Sequence, residues 1–133
     1  MVTACATSSV APDGVAALAG ATASADVALE PYGPLLTATV VVAGKQRRFL
    51  VDTGGGMTVF TPELAAEAGC VLGPPLAGFR MSGERIDAPR CEGAQVSLGQ
   101  WNSRQHTALV LDINKMLPPD WPRLDGLLSL ATF

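Results

Sequence analysis

Clusters of positive charge are missing from this chain. The nine Lys and Arg residues are scattered and the formal net charge is −3, so no basic face is available for a nucleic acid. Metal-ligand sets are missing as well. There is one histidine, His106, and the three cysteines at positions 5, 70 and 91 do not have the spacing of a zinc site. No stretch reaches the roughly 18 consecutive apolar residues of a membrane-spanning helix, and no period of roughly 20 to 50 residues repeats. Charged residues amount to only 16%, which leaves few helix-favouring charged runs. What is present is glycine (14) and proline (10) at short intervals, the punctuation that many short strands require. With 133 residues, 48% of them hydrophobic, one β-rich domain with a real core is expected.

Residues 1–33 are rich in Ala, Ser, Thr and Gly without an apolar period, and read as a leader or flexible tether. The domain is expected over 34–133. Leu35 to Ala43 is apolar and β-branched, Gly44-Lys45 turns it, and Gln46 to Val51 returns, a hairpin with Asp52 at its exit. After Gly54-Gly55-Gly56, a strand is expected over Met57-Thr58-Val59-Phe60. In the next segment, Thr61 suits an N-cap, Pro62 the first helical position and Gly69 a left-handed stop, which specifies one short helix. Leu76–Met81 and Glu84–Ala88 flank Ser82-Gly83 as a second hairpin. Ala94–Leu98 and Ser103–Ile113 flank Gly99 to Asn102 as a third. Pro118 to Pro122 is a loop, and Leu124 to Leu130 a buried strand.

The chemistry concentrates at Asp52-Thr53-Gly54, where an apolar strand, Phe49-Leu50-Val51, delivers a carboxylate to a turn. Alone, that tripeptide is ordinary turn composition. In order with a strand, a short helix, a glycine-tipped hairpin and the late Leu124-Asp125-Gly126-Leu127-Leu128, it resembles a retropepsin-like aspartic peptidase domain of the bacterial, often periplasmic, kind. The resemblance covers roughly Leu35 to Phe133. It implies an all-β, closed acid-protease barrel with one short helix. It also implies peptide-bond hydrolysis by water, with no metal or organic cofactor. Asp52 would be the catalytic acid, Thr53 would lock two active-site loops together, and Gly54 would let the backbone approach closely. Met81, Ser82, Gly83 and Glu84 would form the flap that closes over an extended peptide or protein substrate. Asp125 reads as a structural turn residue.

One carboxyl group cannot deprotonate a water and protonate a carbonyl at the same moment, so a second is required. The chain contains a single Asp-Thr-Gly. A homodimer with Asp52 facing its mate is the simplest source, and a second lobe in a longer parent chain is the alternative. The family pattern also continues after Asp-Thr-Gly with Ala or Ser and then Ser or Thr, whereas this chain has Gly55 and Gly56. The hydroxyl that usually supports the carboxylate is therefore absent, and Thr58 lies further along. The family normally runs on past Asp125-Gly126 through a helix and a last strand, so a C-terminally truncated domain is expected. These departures keep open a non-catalytic module that retains the fold for dimerisation or peptide binding, and, less well matched, an envelope lipoprotein domain with an incidental motif.

Val2-Thr3-Ala4-Cys5 resembles the lipobox of a bacterial lipoprotein, although the apolar segment that should precede it is missing. Either the start is truncated or Cys5 is incidental. Export to the periplasm or cell envelope is expected, with membrane attachment only through a Cys5 lipid. Cys70 and Cys91 are expected to be a free pair rather than a bridge, because their nearness is not readable from spacing. His106 is expected on a strand surface, and Trp101 and Trp121 in packing or rim positions.

Overall fold

The structure, a computed structural model, describes residues 26–133. Eight strands form one sheet: β1 (Leu29–Tyr32), β2 (Leu35–Val42), β3 (Lys45–Asp52), β4 (Val59–Phe60), β5 (Val71–Phe79), β6 (Arg85–Leu98), β7 (Trp101–Val110) and β8 (Gly126–Ser129). One helix, α1 (Pro62–Glu67), and 3-10 turns at Ile113–Met116 and Leu130–Thr132 complete the described residues. The pairing order β2-β3-β8-β4-β7-β6 returns to β2 through Val41↔Ser97 and Val42↔Val96, which closes a six-strand ring. β1 hangs on β2 and β5 on β6 outside that ring.

The first hairpin forms, with its turn at Ala43-Gly44, one residue earlier than the expected Gly44-Lys45, because Val42 pairs with Lys45. Ala43 and Gly44 both have positive φ, 49° and 78°, the geometry of a two-residue turn whose twist matches the strands it joins. The alternating apolar residues then face inward, so that Val40, Val42 and Phe49 are fully buried. Phe49 meets Phe60 edge-on at 5.8 Å between centroids. Val96, Cys91, Ala108 and Leu64 fill in around them. The short helix is capped as expected, with the Thr61 hydroxyl accepting from the Leu64 N–H at 3.3 Å and Gly69 at φ +63°. It buries Leu64 and Ala65 against this core.

Several boundaries differ from the sequence reading. Among the described residues the first strand starts at Leu29, inside the segment read as tether, where β1 pairs with Leu35–Ala38 and buries Tyr32 against Trp121, with ring centroids 5.0 Å apart. The proposed lipidation residue Cys5 lies outside the described residues. β4 starts at Val59 rather than Met57, with the Thr58 carbonyl just before it already accepting from the Leu109 N–H at 2.9 Å. β7 stops at Val110 rather than Ile113 because the Asp112 carboxylate caps the next turn, accepting from the Asn114 N–H at 3.2 Å. β5 starts at Val71 and carries Pro74 and Pro75 across a register shift, a placement prolines tolerate only where one strand edge is unpaired.

The free-pair expectation for the cysteines is corrected: Cys70 and Cys91 form a disulfide, with Cα atoms 5.3 Å apart. The pairing Leu72↔Cys91 sets Cys70, just past the helix stop, beside β6. That proximity is produced by the fold and has no local sequence signature. His106 is also corrected, from strand surface to half-buried. Its ring lies between Trp101 and Phe60, and its Nε2 is buried without a hydrogen-bond partner.

Candidate active site

The site is built where β3 ends. β3 and β8 run parallel, with Asp52 opposite Ser129, and β8 runs antiparallel to β4. The chain therefore leaves β3, crosses over the end of β8 and returns on its far side as β4. A loop forced to span an intervening strand has its ends fixed a strand pair apart, and the segment 53–58 is held in that position from below. The buried Ser129 hydroxyl donates to the Gly55 carbonyl, and its own N–H donates to the Thr58 hydroxyl at 3.2 Å. Thr58 and Thr132 hydroxyls lie 2.6 Å apart.

Such a crossing needs close contact between strands, and Gly126 provides it. A Cβ there would lie 2.3 Å from the Val59 carbonyl oxygen and 2.4 Å from the Phe49 ring. Asp125 holds the entrance to β8, its carboxylate accepting from the Arg48 N–H at 2.9 Å and its carbonyl from the Thr61 N–H at 2.9 Å. Its role is structural, as read from the sequence.

Asp52 is half-buried, and its Oδ1 accepts from the Gly54 N–H at 3.0 Å. A Cβ at Gly55 would come within 3.1 Å of Oδ2, whereas one at Gly54 would be 3.6 Å from Oδ1. A side chain would thus crowd the carboxylate more at Gly55 than at Gly54, one residue later than the motif suggests. At Gly56 a Cβ would meet nothing within 4 Å. Thr58 serves the backbone beneath the loop and does not take the place of the missing hydroxyl.

Asp52 opens on a cleft of about 550 Å³ between this floor and the β5–β6 hairpin, walled by Met57, Leu76, Phe79, Ile86, Leu109 and Met116 among others. The hairpin turn is closed by Arg80 N–H to the Glu84 carbonyl at 2.9 Å and Gly83 N–H to the Arg80 carbonyl at 2.8 Å, with Gly83 at φ +83°. The wall on the hairpin side consists of residues 76–80 with Ile86 and Ala88. Met81, Ser82, Gly83 and Glu84 form the exposed tip and do not line the cleft in this conformation. Thr53 faces away from the cleft, onto an apolar cavity of about 660 Å³ with Val51, Trp101, Leu130 and Phe133 in its wall. Asp52 and Thr53 therefore lie on opposite faces of one loop. His106 is not in the cleft wall, and burial alone pushes its imidazole below the ordinary value of 6.5.

Ser129 and Thr132 were not legible as parts of this site, nor was the Asn114 clasp on the segment leading into β8. Asn114 pairs with the Leu124 backbone through two hydrogen bonds of 2.9 Å. The only local signal is a small polar residue at the end of an apolar strand, which marks any strand end.

A closed β-ring with one short helix, in which a strand-end aspartate opens onto a hairpin-covered cleft, defines an all-β acid-protease-like domain. The chain belongs to the aspartyl protease family, whose sequence model matches residues 38–131. No curated protein is similar enough to match it.

Proposed function

We propose that this domain is an aspartic endopeptidase that hydrolyses peptide bonds with a water activated by Asp52 and a second aspartate. The observation that carries the proposal is that Asp52 supplies the one carboxylate in the wall of an otherwise largely apolar cleft, among the described residues. Two carboxylates about 3 Å apart cannot both ionise, a behaviour for which aspartic proteases are themselves the standard example. The ionised member would take the proton of the water while the protonated member gives its own to the scissile carbonyl. An extended substrate would run between floor and hairpin, and closure of the Met81–Glu84 tip would exclude water.

A second copy is the proposed source of the other aspartate. Thr53 is exposed beside Asp52, and Leu29, Leu130 and Phe133, close by around the apolar cavity, are each about half exposed at 48%, 50% and 55%. Exposed apolar groups next to an incomplete site favour association there. The Cys70–Cys91 bridge supports export to an oxidising compartment such as the bacterial periplasm. A lipid on Cys5 belongs to the same proposal, and the intact mass of the mature chain tests it.

The alternative is a non-catalytic peptide-binding or dimerisation module. It is favoured by Gly56, where the space for a hydroxyl-bearing side chain is open and unfilled. Cleavage of a peptide library by the full chain and by Asp52→Asn separates the two, with sedimentation giving the assembly state. Cleavage by wild type that drops at least about a hundredfold in Asp52→Asn supports the peptidase. A dimer that cuts nothing supports the module.

A further inference from the structure

The charge layout of the cleft carries an inference about what it selects, and it rests on the reading that the cleft holds a peptide. Its wall contains one anion, Asp52, and one cation, Arg80; the other side chains there are apolar or are glycine. Arg80 sits where the hairpin leaves the sheet, and its guanidinium is held by Glu84 across the turn at 3.1 Å. Both partners are substantially exposed, with side-chain exposures of 42% and 61%, so the pair is weak and exchangeable. Arg80, Leu111 and Met116 also wall a neighbouring depression of about 600 Å³ that contains Lys115 and Asp112. The groove therefore continues past Arg80, and the Asp112 carboxylate there is already 3.9 Å from the Lys115 ammonium and accepts from the Asn114 N–H.

We infer that Arg80 is a specificity residue that selects peptides with an acidic side chain on the Met116 side of the apolar segment bound over Asp52. An incoming carboxylate takes the place of Glu84 on the Arg80 guanidinium, a fork that a carboxylate can engage through two parallel hydrogen bonds. Asp52 repels the same side chain from the other end. Attraction at one end and repulsion at the other fix the direction in which an apolar peptide with one acidic residue lies. An all-apolar wall cannot do that, because hydrophobic contact is non-directional. Glu84 acts as a stand-in ligand that keeps Arg80 extended along the hairpin when the cleft is empty.

The test measures binding apart from turnover. Fluorescence anisotropy on the full chain carrying Asp52→Asn compares paired synthetic peptides with the same apolar centre and either Glu or Gln beside it. The Glu peptide is expected to bind about fivefold more tightly, the scale of one exposed ion pair. Adding Arg80→Glu should reverse the preference, and adding Glu84→Gln instead should strengthen it. Raising the salt should shrink it. Equal affinities for the two peptides, no binding of either, or a preference that survives Arg80→Glu would overturn the inference. Cleavage of the same pair by the chain with Asp52 intact reports on the peptidase reading separately. Charge-selective binding without cleavage removes the peptidase and leaves the specificity role of Arg80 standing.

Discussion

The floor of the cleft and the hairpin over it are made from the same sheet, yet they are held in opposite ways. Beneath Asp52, residues 53–58 are tied to β8 and the turn after it by Ser129, Thr58 and Thr132, and Gly126 lets three strands meet without side-chain bulk. Over the cleft, β6 pairs with β7 only from Arg90 onward, so residues 76–88 have backbone partners only within their own hairpin. Several of its apolar side chains stand in solvent, Phe79 and Met81 among the most exposed, while Ala88 near its base is buried. Few buried contacts and an unpaired edge are the marks of a segment that opens at low free-energy cost. The fold thus places its candidate acid on a tied-down crossing and the cover of the cleft on a compliant arm, anchored at its base where the Cys70–Cys91 bridge meets β6.

That contrast predicts a graded set of effects. The largest belongs to the crossing. Gly126→Ala would push a methyl group into the Val59 carbonyl and the Phe49 ring, and with two contacts this short the cost falls at the upper end of overpacking, about 3 kcal/mol. Urea denaturation measures it, and a loss below about 1 kcal/mol would mean that the strands separate easily. Next comes the base of the hairpin. Replacing Cys70 and Cys91 together opens a loop with a sequence separation of 21, and about 2–4 kcal/mol should be lost. Hydrogen exchange should rise first in residues 71–92; a uniform rise would show that the bridge stabilises the whole ring instead of the arm.

A smaller effect is expected at Ser129→Ala. The variant leaves the Gly55 carbonyl and the Ala131 N–H without their Ser129 partner, for a loss of about 1–2 kcal/mol. Its signature is functional as well: activity should fall more steeply than stability, because the loop carrying Asp52 loosens. Equal stability to wild type would show that water replaces the hydroxyl.

The smallest effect is pH-dependent. Burial holds the His106 imidazole below 6.5, so the unfolded chain takes up a proton where the folded chain resists it. Stability from this residue is complete above pH 6.5 and declines as the pH falls from there toward the folded value. His106→Leu should flatten that decline in melting temperature between neutral and acidic pH. An unchanged decline would assign the acid sensitivity to other groups.

Much of the ring was legible because its signals are local. The first hairpin turn, to within one residue, the Thr61-Pro62 start and Gly69 stop of α1, and the glycine-tipped hairpin each follow from backbone preferences within a few residues. Their alternation sets which faces are buried. Asp52 was readable for the same reason, as a carboxylate at the end of an apolar strand. The Cys70–Cys91 bridge, half-buried His106 and the pairing of β1 were read differently, because each depends on residues brought together from distant parts of the chain.

By itself, then, the sequence determined most of the strands and turns, the one helix and the position of the candidate acid, since these depend on propensities and periodicities written within a few neighbouring residues. The tertiary structure decided the rest. Inserting β8 between β3 and β4 put Ser129 under Gly55 and turned Asp52 and Thr53 to opposite faces of one loop, while the β5–β6 hairpin brought Arg80 to the wall of the cleft. Those contacts join positions dozens of residues apart, and chain spacing says nothing about which of them will meet once a sheet closes on itself.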